Sequence, residues 1–393
     1  MRNRFFSAIA GALSVMMVLP SCSEEPLPKA EMPVLAWFSI PANHTTLKNY
    51  QDLVDCGFNI NFSHIHSLPE LKKALDTAEV AGVKMLAMCD ELYDDTENTV
   101  REIMDHPALF GYFLNDEPNC NHFAEAREIA DRIKSVDDSH FLYLNLFPNY
   151  ASDEMLGCPY QEYVHRFIEE VGLPFVSFDY YAVTVGGIAQ SWYDNLQVVA
   201  DEASAAGIPF WSFALSEAFE PYRETTPQTL RLQVYTDLAY GSQAIQYFTY
   251  WNSGEGLESP ILDGKHTRTY DYVKSMNEEI QARAGVFLGS KVVELVHTGD
   301  SIPNNCKPLE AMPAHVKSLK TGSAGAIVSL LENGEWNYLV VVSRTLDEPL
   351  TLDVEFDEKA CLVDRKGNLV KVGKGLNSYS IEEGDVAIFR FKK

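Results

Sequence analysis

The run Gly111-Tyr112-Phe113-Leu114-Asn115-Asp116-Glu117-Pro118 is apolar until its last residues, where three polar side chains follow one another. Ending a buried run this way is costly unless the polar groups face a polar cavity. Other apolar runs close in a similar manner, on Ser39, on His64 and His66, on Asp90-Glu91, on Asn145, on Asp179-Tyr180-Tyr181, on Ser216-Glu217 and on Tyr250-Trp251-Asn252. Carboxylates and aromatic rings dominate this set. Carboxyl groups exchange protons and stabilise an oxocarbenium ion, and flat rings stack on sugar faces, so the chemistry to expect is that of a glycosidic bond. Plainer roles exist for each group. Asp116 or Glu117 would cap a following helix that has Pro118 in its first turn. Glu217 would be a solvated loop acid, and Asp179 with its neighbouring tyrosine a hydrogen-bonded strut.

Such groups converge only if the elements behind them are arranged in a ring. From residue 33 the chain repeats a short apolar strand, a polar loop and an amphipathic helix. The spacing predicts strands at Pro33–Pro41, Gly57–His64, Lys84–Asp90, Leu109–Glu117, Phe141–Phe147, Phe175–Tyr180, Pro209–Ser216 and Ala244–Trp251. They are apolar on both faces, as parallel strands covered by helices are. Helices fit at 43–55, 67–81, 96–105, 122–136, 160–171, 190–206, 227–240 and 267–284, and Ser67-Leu68-Pro69-Glu70 has the form of a capping box. Eight such units are the count of a (β/α)8 barrel, placing the polar strand ends together at the C-terminal face. A doubly wound sheet is the alternative, but the first strand is not followed by a phosphate-binding GxGxxG. After residue 285 short β-type runs alternate with turns at Asn333-Gly334, Lys366-Gly367-Asn368 and Glu383-Gly384-Asp385, which predicts an antiparallel β-sandwich over 286–393.

The fourth strand resembles the corresponding motif of clan A glycoside hydrolases, an Asn-Glu-Pro whose Glu is the acid/base. The resemblance covers about residues 33–285. It implies Glu117 as acid/base, Glu217 after strand seven as nucleophile of a two-carboxylate retaining mechanism, and Trp251 as a sugar platform. Trp37 and Tyr181 would complete the walls around the sugar, while Asn115, Asp179 and His64 would bind its hydroxyls. One departure is that Asp116, not Asn115, directly precedes Glu117. An Asp-Glu pair there is similar to substrate-assisted hexosaminidases, in which Asp116 would orient an acetamido group and Glu117 remain the acid. A non-catalytic glycan-binding protein on the same frame is the third reading. His64-Ile65-His66 suggests a metal site, but the later strand ends supply no further His, so neither metal nor organic cofactor is expected.

Arg2 and Arg4 precede the apolar run Phe5 to Leu19, which has the length of a signal-peptide core and ends Leu19-Pro20-Ser21-Cys22. That ending resembles a bacterial lipobox, implying removal of residues 1–21, lipidation of Cys22 and a tether over 22–32. Ser23-Glu24-Glu25 is similar to tags that send lipoproteins to the outer face of the outer membrane, with the periplasm as the alternative. The 393-residue chain is 46% hydrophobic and 11% aromatic, which suits a large core and excludes a disordered chain. With 31 basic against 56 acidic residues its net charge is −25, a poor match for nucleic acid. The expected partners are a carbohydrate and, through the lipid alone, a membrane. Nothing in the sequence fixes the sugar, the linkage or the oligomeric state.

Overall fold

A computed structural model describes residues 25–252 and 258–393. All eight expected strands form: β1 (Val34–Trp37), β2 (Ile60–Phe62), β3 (Lys84–Ala87), β4 (Leu109–Asp116), β5 (Phe141–Asn145), β6 (Val176–Phe178), β7 (Phe210–Leu215) and β8 (Ile245–Phe248). They are parallel neighbours in the order β5-β4-β3-β2-β1-β8-β7-β6, and Leu146 bridges Phe178 to join the two ends. That closure makes a barrel rather than a doubly wound sheet. Its interior is packed rather than open. The Trp37 ring lies 4.5 Å from Phe62, 5.7 Å from Phe113, 5.6 Å from Tyr143 and 5.3 Å from Phe213 between centroids.

The outer helices are α1 (Leu47–Asp55), α2 (Leu68–Ala81), α3 (Thr96–Ile103), α4 (Phe123–Lys134), α5 (Tyr160–Arg166), α6 (Ser191–Ala206), α7 (Pro227–Tyr240) and α8 (Arg268–Ala282). The expected capping box at Ser67 does not form. Its hydroxyl donates to Glu70 (2.9 Å), and Glu91 from the next loop accepts the Leu68 N–H (3.0 Å). A capping box occurs instead at Thr226 and Thr229, opening α7. That helix departs from the expected amphipathic pattern, because the barrel covers one side and the C-terminal domain the other. Even Gln233, Thr236 and Asp237 are buried in it.

The C-terminal domain is an antiparallel sandwich of a six-stranded and a three-stranded sheet. The apolar runs Leu350–Phe356 and Val386–Phe391 form strands, the second extending to Lys392. Lys291–His297, Val316–Lys320 and Asn377–Ile381 are strands that their interspersed Lys, Glu and Ser conceal in the sequence. Residues 25–32, expected as a tether, lie against the body. Arg390 donates to the Glu25 carbonyl (2.8 Å), and Met32 exchanges hydrogen bonds with the Gln281 amide. Ion pairs knit the domains: Arg231 of α7 holds Glu279 of α8 (3.1 Å) and reaches Asp385 of the sandwich (3.9 Å), while Arg365 of the sandwich reaches back to Glu279 (4.0 Å). Cys56, Cys89, Cys120, Cys158 and Cys306 are free thiols, the first four buried. No helix among the described residues is long and apolar enough to cross a membrane. Cys22 and the apolar run before it fall outside the described residues.

Candidate active site

Three carboxyl groups meet at the C-terminal end of the barrel, and the local fold of β4 accounts for two of them. Phe113 pairs with Tyr143, but the next pairs are Asn115 with Leu144 and Asp116 with Asn145, so Leu114 is the extra residue of a bulge. The bulge shifts the inward position by one and sets Asp116 level with Asn145, whose side chain points into the barrel mouth. In a regular strand the next residue would then point outward. Glu117 does not, because its backbone is left-handed (φ +50°) while its N–H still donates to the Asn145 carbonyl (2.9 Å). A non-glycine residue held there is a strained feature of the kind that clusters at functional sites. Asp116 and Glu117 consequently line one cavity of about 470 Å³, together with Asp179, one residue past β6. That volume is in the range of small-molecule sites. Neither acid caps the following helical turn, whose N-cap is Asn119.

Asn145 ties the cluster together. Its Nδ2 donates to Asp179 (2.9 Å) and Asp116 (3.3 Å), and its Oδ1 accepts from the Ser177 hydroxyl (2.9 Å). Ser177 in turn accepts from the Gln246 amide (2.9 Å). This buried chain fixes which way the Asn145 amide faces. Burial raises Glu117 well above the usual carboxylate range, helped by the charges of Asp179 and Asp116 and by a hydrogen bond to Asp179. Burial also raises Asp179, but hydrogen bonds from Asn145, Glu117, its own backbone and Tyr181 oppose that rise. In the Glu117–Asp179 contact the proton therefore resides on Glu117 and the charge on Asp179. Asp116 is open to water at the cavity mouth and walled by protein elsewhere. That desolvation raises it to about 7, with the Asp179 charge adding and Asn145 opposing.

Removing the Asn145 amide should expose how much the cluster depends on it. A hydrogen bond to a charged group is worth about 1.5–3 kcal/mol, so Asn145→Ala is expected to lower kcat roughly 10- to 100-fold. Because Asn145 holds Asp179 down, the acid limb of the kcat profile should also move to higher pH. An unshifted limb would mean that Asp179 is not the group that must be ionised.

The other expected site residues divide between two cavities. Trp37 forms the floor of the first, and Tyr181 its wall beside Asp179. Glu217, Trp251 and His64 line a second cavity of about 510 Å³, which shares Phe219 and Phe248 with the first. Glu117 and Glu217, expected as a catalytic pair, thus line adjoining cavities that meet at Phe219 and Phe248. Glu217 is only 3% exposed and hydrogen-bonded by Asn252, so it is not a solvated loop acid. Its burial raises it to about 7. Asn115 sits outside the first cavity, in a shallow hollow with His122 and Glu125, because the bulge turns it outward. His66 turns away from His64 toward Asp90 (3.4 Å). Sequence reasoning missed Tyr150 and Tyr222, whose hydroxyls meet over the first cavity from the loops after β5 and β7. A tyrosine inside a loop carries no periodic signal that would single it out.

No protein-family model matches the chain. No curated protein sequence matches it either. Solved structures do. A glycoside hydrolase family 5 protein from Bacteroides vulgatus superposes with a TM-score of 0.61 at 11% identity, covering 92% of this chain and 89% of that one. A family 27 β-L-arabinopyranosidase from Geobacillus stearothermophilus gives 0.55 at 9% identity, over 93% and 97% of the two chains. A gamma-CGTase from Bacillus clarkii gives 0.53 at 9%, over 94% and 72%. At these identities the likeness is one of fold: the chain has the (β/α)8 barrel with trailing β-sandwich that resembles these glycoside hydrolases over nearly its whole length.

Proposed function

We propose that the protein is a glycoside hydrolase acting with retention of configuration, in which Glu117 is the general acid and Asp179 the charged carboxylate that meets the anomeric carbon. One observation carries the reading. Two carboxyl groups share an aromatic-walled cavity and one hydrogen bond, and their surroundings split them into a protonated and an ionised member. Such splitting is how one site provides both acid and base chemistry near neutral pH. On binding, the glycosidic oxygen replaces Asp179 as acceptor of the Glu117 proton. That proton passes to the leaving oxygen as the bond to carbon breaks, and the Asp179 carboxylate bonds to the anomeric carbon. Water then attacks the same carbon, giving its proton to Glu117 and releasing Asp179. Asp179 takes the place expected for Glu217, which lies in the neighbouring cavity.

Spacing supports retention over inversion. An inverting pair stands roughly 6.5–9.5 Å apart to admit a water, and a retaining pair about 5–5.5 Å. A pair in contact is closer than either, and the sugar that parts it brings it to the retaining distance first. Glu117 and Asp179 are in hydrogen-bond contact, and Asp116 and Asp179 both accept from the same Asn145 nitrogen. Asp116 in the same cavity also keeps substrate assistance in view. In that case Asp116→Asn would abolish turnover of N-acetylated substrates, and a loss on sugars without an acetamido group would reject it. The deciding experiment is a panel of 4-nitrophenyl glycosides, with the first-formed anomer of the best substrate followed by NMR. Retained configuration is the expected result. Inversion overturns the mechanism, and glycan binding without hydrolysis of any member leaves a binding protein.

The protein is further proposed to be anchored through Cys22 at the outer membrane, facing the cell exterior, on the strength of Arg2, Arg4, the apolar run and Leu19-Pro20-Ser21-Cys22. Cells fed a labelled fatty acid should incorporate it into the wild-type chain and not into Cys22→Ala. Labelling of the Cys22→Ala chain would disprove the anchor site.

A further inference from the structure

The Glu217 cavity has a composition of its own. It opens at the same end of the barrel as the catalytic cavity, and the Phe219 and Phe248 side chains line both. Phe38, Trp251 and Phe248 give it aromatic walls, and the Phe38 ring is 38% exposed. Three hydrogen-bonding atoms of its wall residues are buried without a partner among the described residues: Ser39 Oγ, Ser63 Oγ and His64 Nε2. Groups of this kind are rare in native proteins and call for an explanation, a ligand being one. Burial keeps His64 below its usual range and hence neutral. Among the described residues the wall holds no Lys or Arg, so Glu217 has no cation to pair with there.

This combination specifies a ligand. Apolar faces call for a flat, partly apolar ring, and unpartnered hydroxyl and imidazole groups call for hydroxyls that donate and accept. The Glu217 carboxyl accepts from adjacent hydroxyls and repels an anionic ring. We infer that the Glu217 cavity is a second sugar subsite, which takes a neutral sugar ring joined to the ring held at Glu117, and that Glu217 recognises substrate rather than breaks its bond. The inference rests on the glycoside hydrolase reading for the identity of the first ring. It makes the preferred substrate at least a disaccharide, bent around Phe248.

Binding tests this apart from catalysis. Titration calorimetry on the full chain carrying Glu117→Gln, which holds a ligand without turning it over, would compare glucose, galactose, xylose and N-acetylglucosamine with cellobiose, maltose, β-1,4-galactobiose, xylobiose and chitobiose. For at least one sugar the dimer should bind tenfold or more tighter than the monomer. Adding Glu217→Gln should shrink that step to less than threefold. Phe38→Ala, at a partly exposed ring, should shrink it too and guards against misfolding of the first variant. A step that survives both substitutions, or no step for any pair, overturns the subsite. So does a loss of kcat on 4-nitrophenyl monoglycosides as large in Glu217→Gln as in Glu117→Gln, because it would place Glu217 in the bond-breaking chemistry. The glycoside hydrolase reading stands or falls separately, on whether the wild-type protein hydrolyses any glycoside.

Discussion

Glu117→Gln is expected to lower kcat by about 10³-fold on substrates whose leaving group needs a proton, the middle of the range for general acid catalysis. Glutamine keeps the shape and the hydrogen-bonding reach of the side chain but cannot yield a proton to the glycosidic oxygen. The loss should depend on the leaving group. A sugar alcohol leaves poorly without protonation, whereas 4-nitrophenolate leaves with little help. Oligosaccharide cleavage should therefore fall far more than release of 4-nitrophenol. Equal losses on both would make Glu117 a structural residue. Stability should move the other way. Glu117 is raised in the folded state, so the wild type binds that proton more tightly than its unfolded chain does. The associated stability is present in acid and is lost as pH rises from the ordinary glutamate range through the raised value. Glutamine carries no such penalty, so Glu117→Gln should melt at or above the wild-type temperature in mildly alkaline buffer.

The contrast between Glu117 and Glu217 shows what a sequence can and cannot reveal here. The barrel was legible because its strands are apolar on both faces and their polar ends stand out. Two of the glycines that follow helices, Gly207 and Gly241, do take the left-handed conformation that ends α6 and α7. Strand ends give the rim of the site, but not which rim residues face each other. On β4 that depends on one extra residue at Leu114 and a left-handed backbone at Glu117, and period-two reasoning sees neither. They turn Asn115 out and bring both acids in. Glu217 stands directly after Ser216 at the end of β7, where it was expected. It lines a cavity that adjoins the first at Phe219 and Phe248, and Phe219 belongs to the loop after β7, whose shape the sequence does not reveal. Helix α7 hid its double burial for a related reason, since its second cover comes from a domain far along the chain.

Asp179→Asn isolates the electrostatic half of the site. It should lower kcat by at least as much as the loss of the acid, since no carboxylate then remains against the anomeric carbon. The residual activity carries the sharper information. Asp179 raises Glu117 through both its charge and its hydrogen bond. Removing that charge lets Glu117 release its proton at lower pH. The alkaline limb of the residual profile should accordingly move toward acid, though burial and the Asp116 charge still hold Glu117 above the ordinary glutamate range. The acid limb set by Asp179 should flatten, because no group of that kind is left to protonate. Asp179→Ala adds a chemical readout. It vacates the space of a carboxylate, so sodium azide should partly restore turnover of an aryl glycoside and give a glycosyl azide of opposite anomeric configuration. A side chain that merely positions Asn145 or Tyr181 would yield no such product. An unmoved alkaline limb together with absent rescue would return the search for the nucleophile to Asp116, the remaining carboxyl in the cavity.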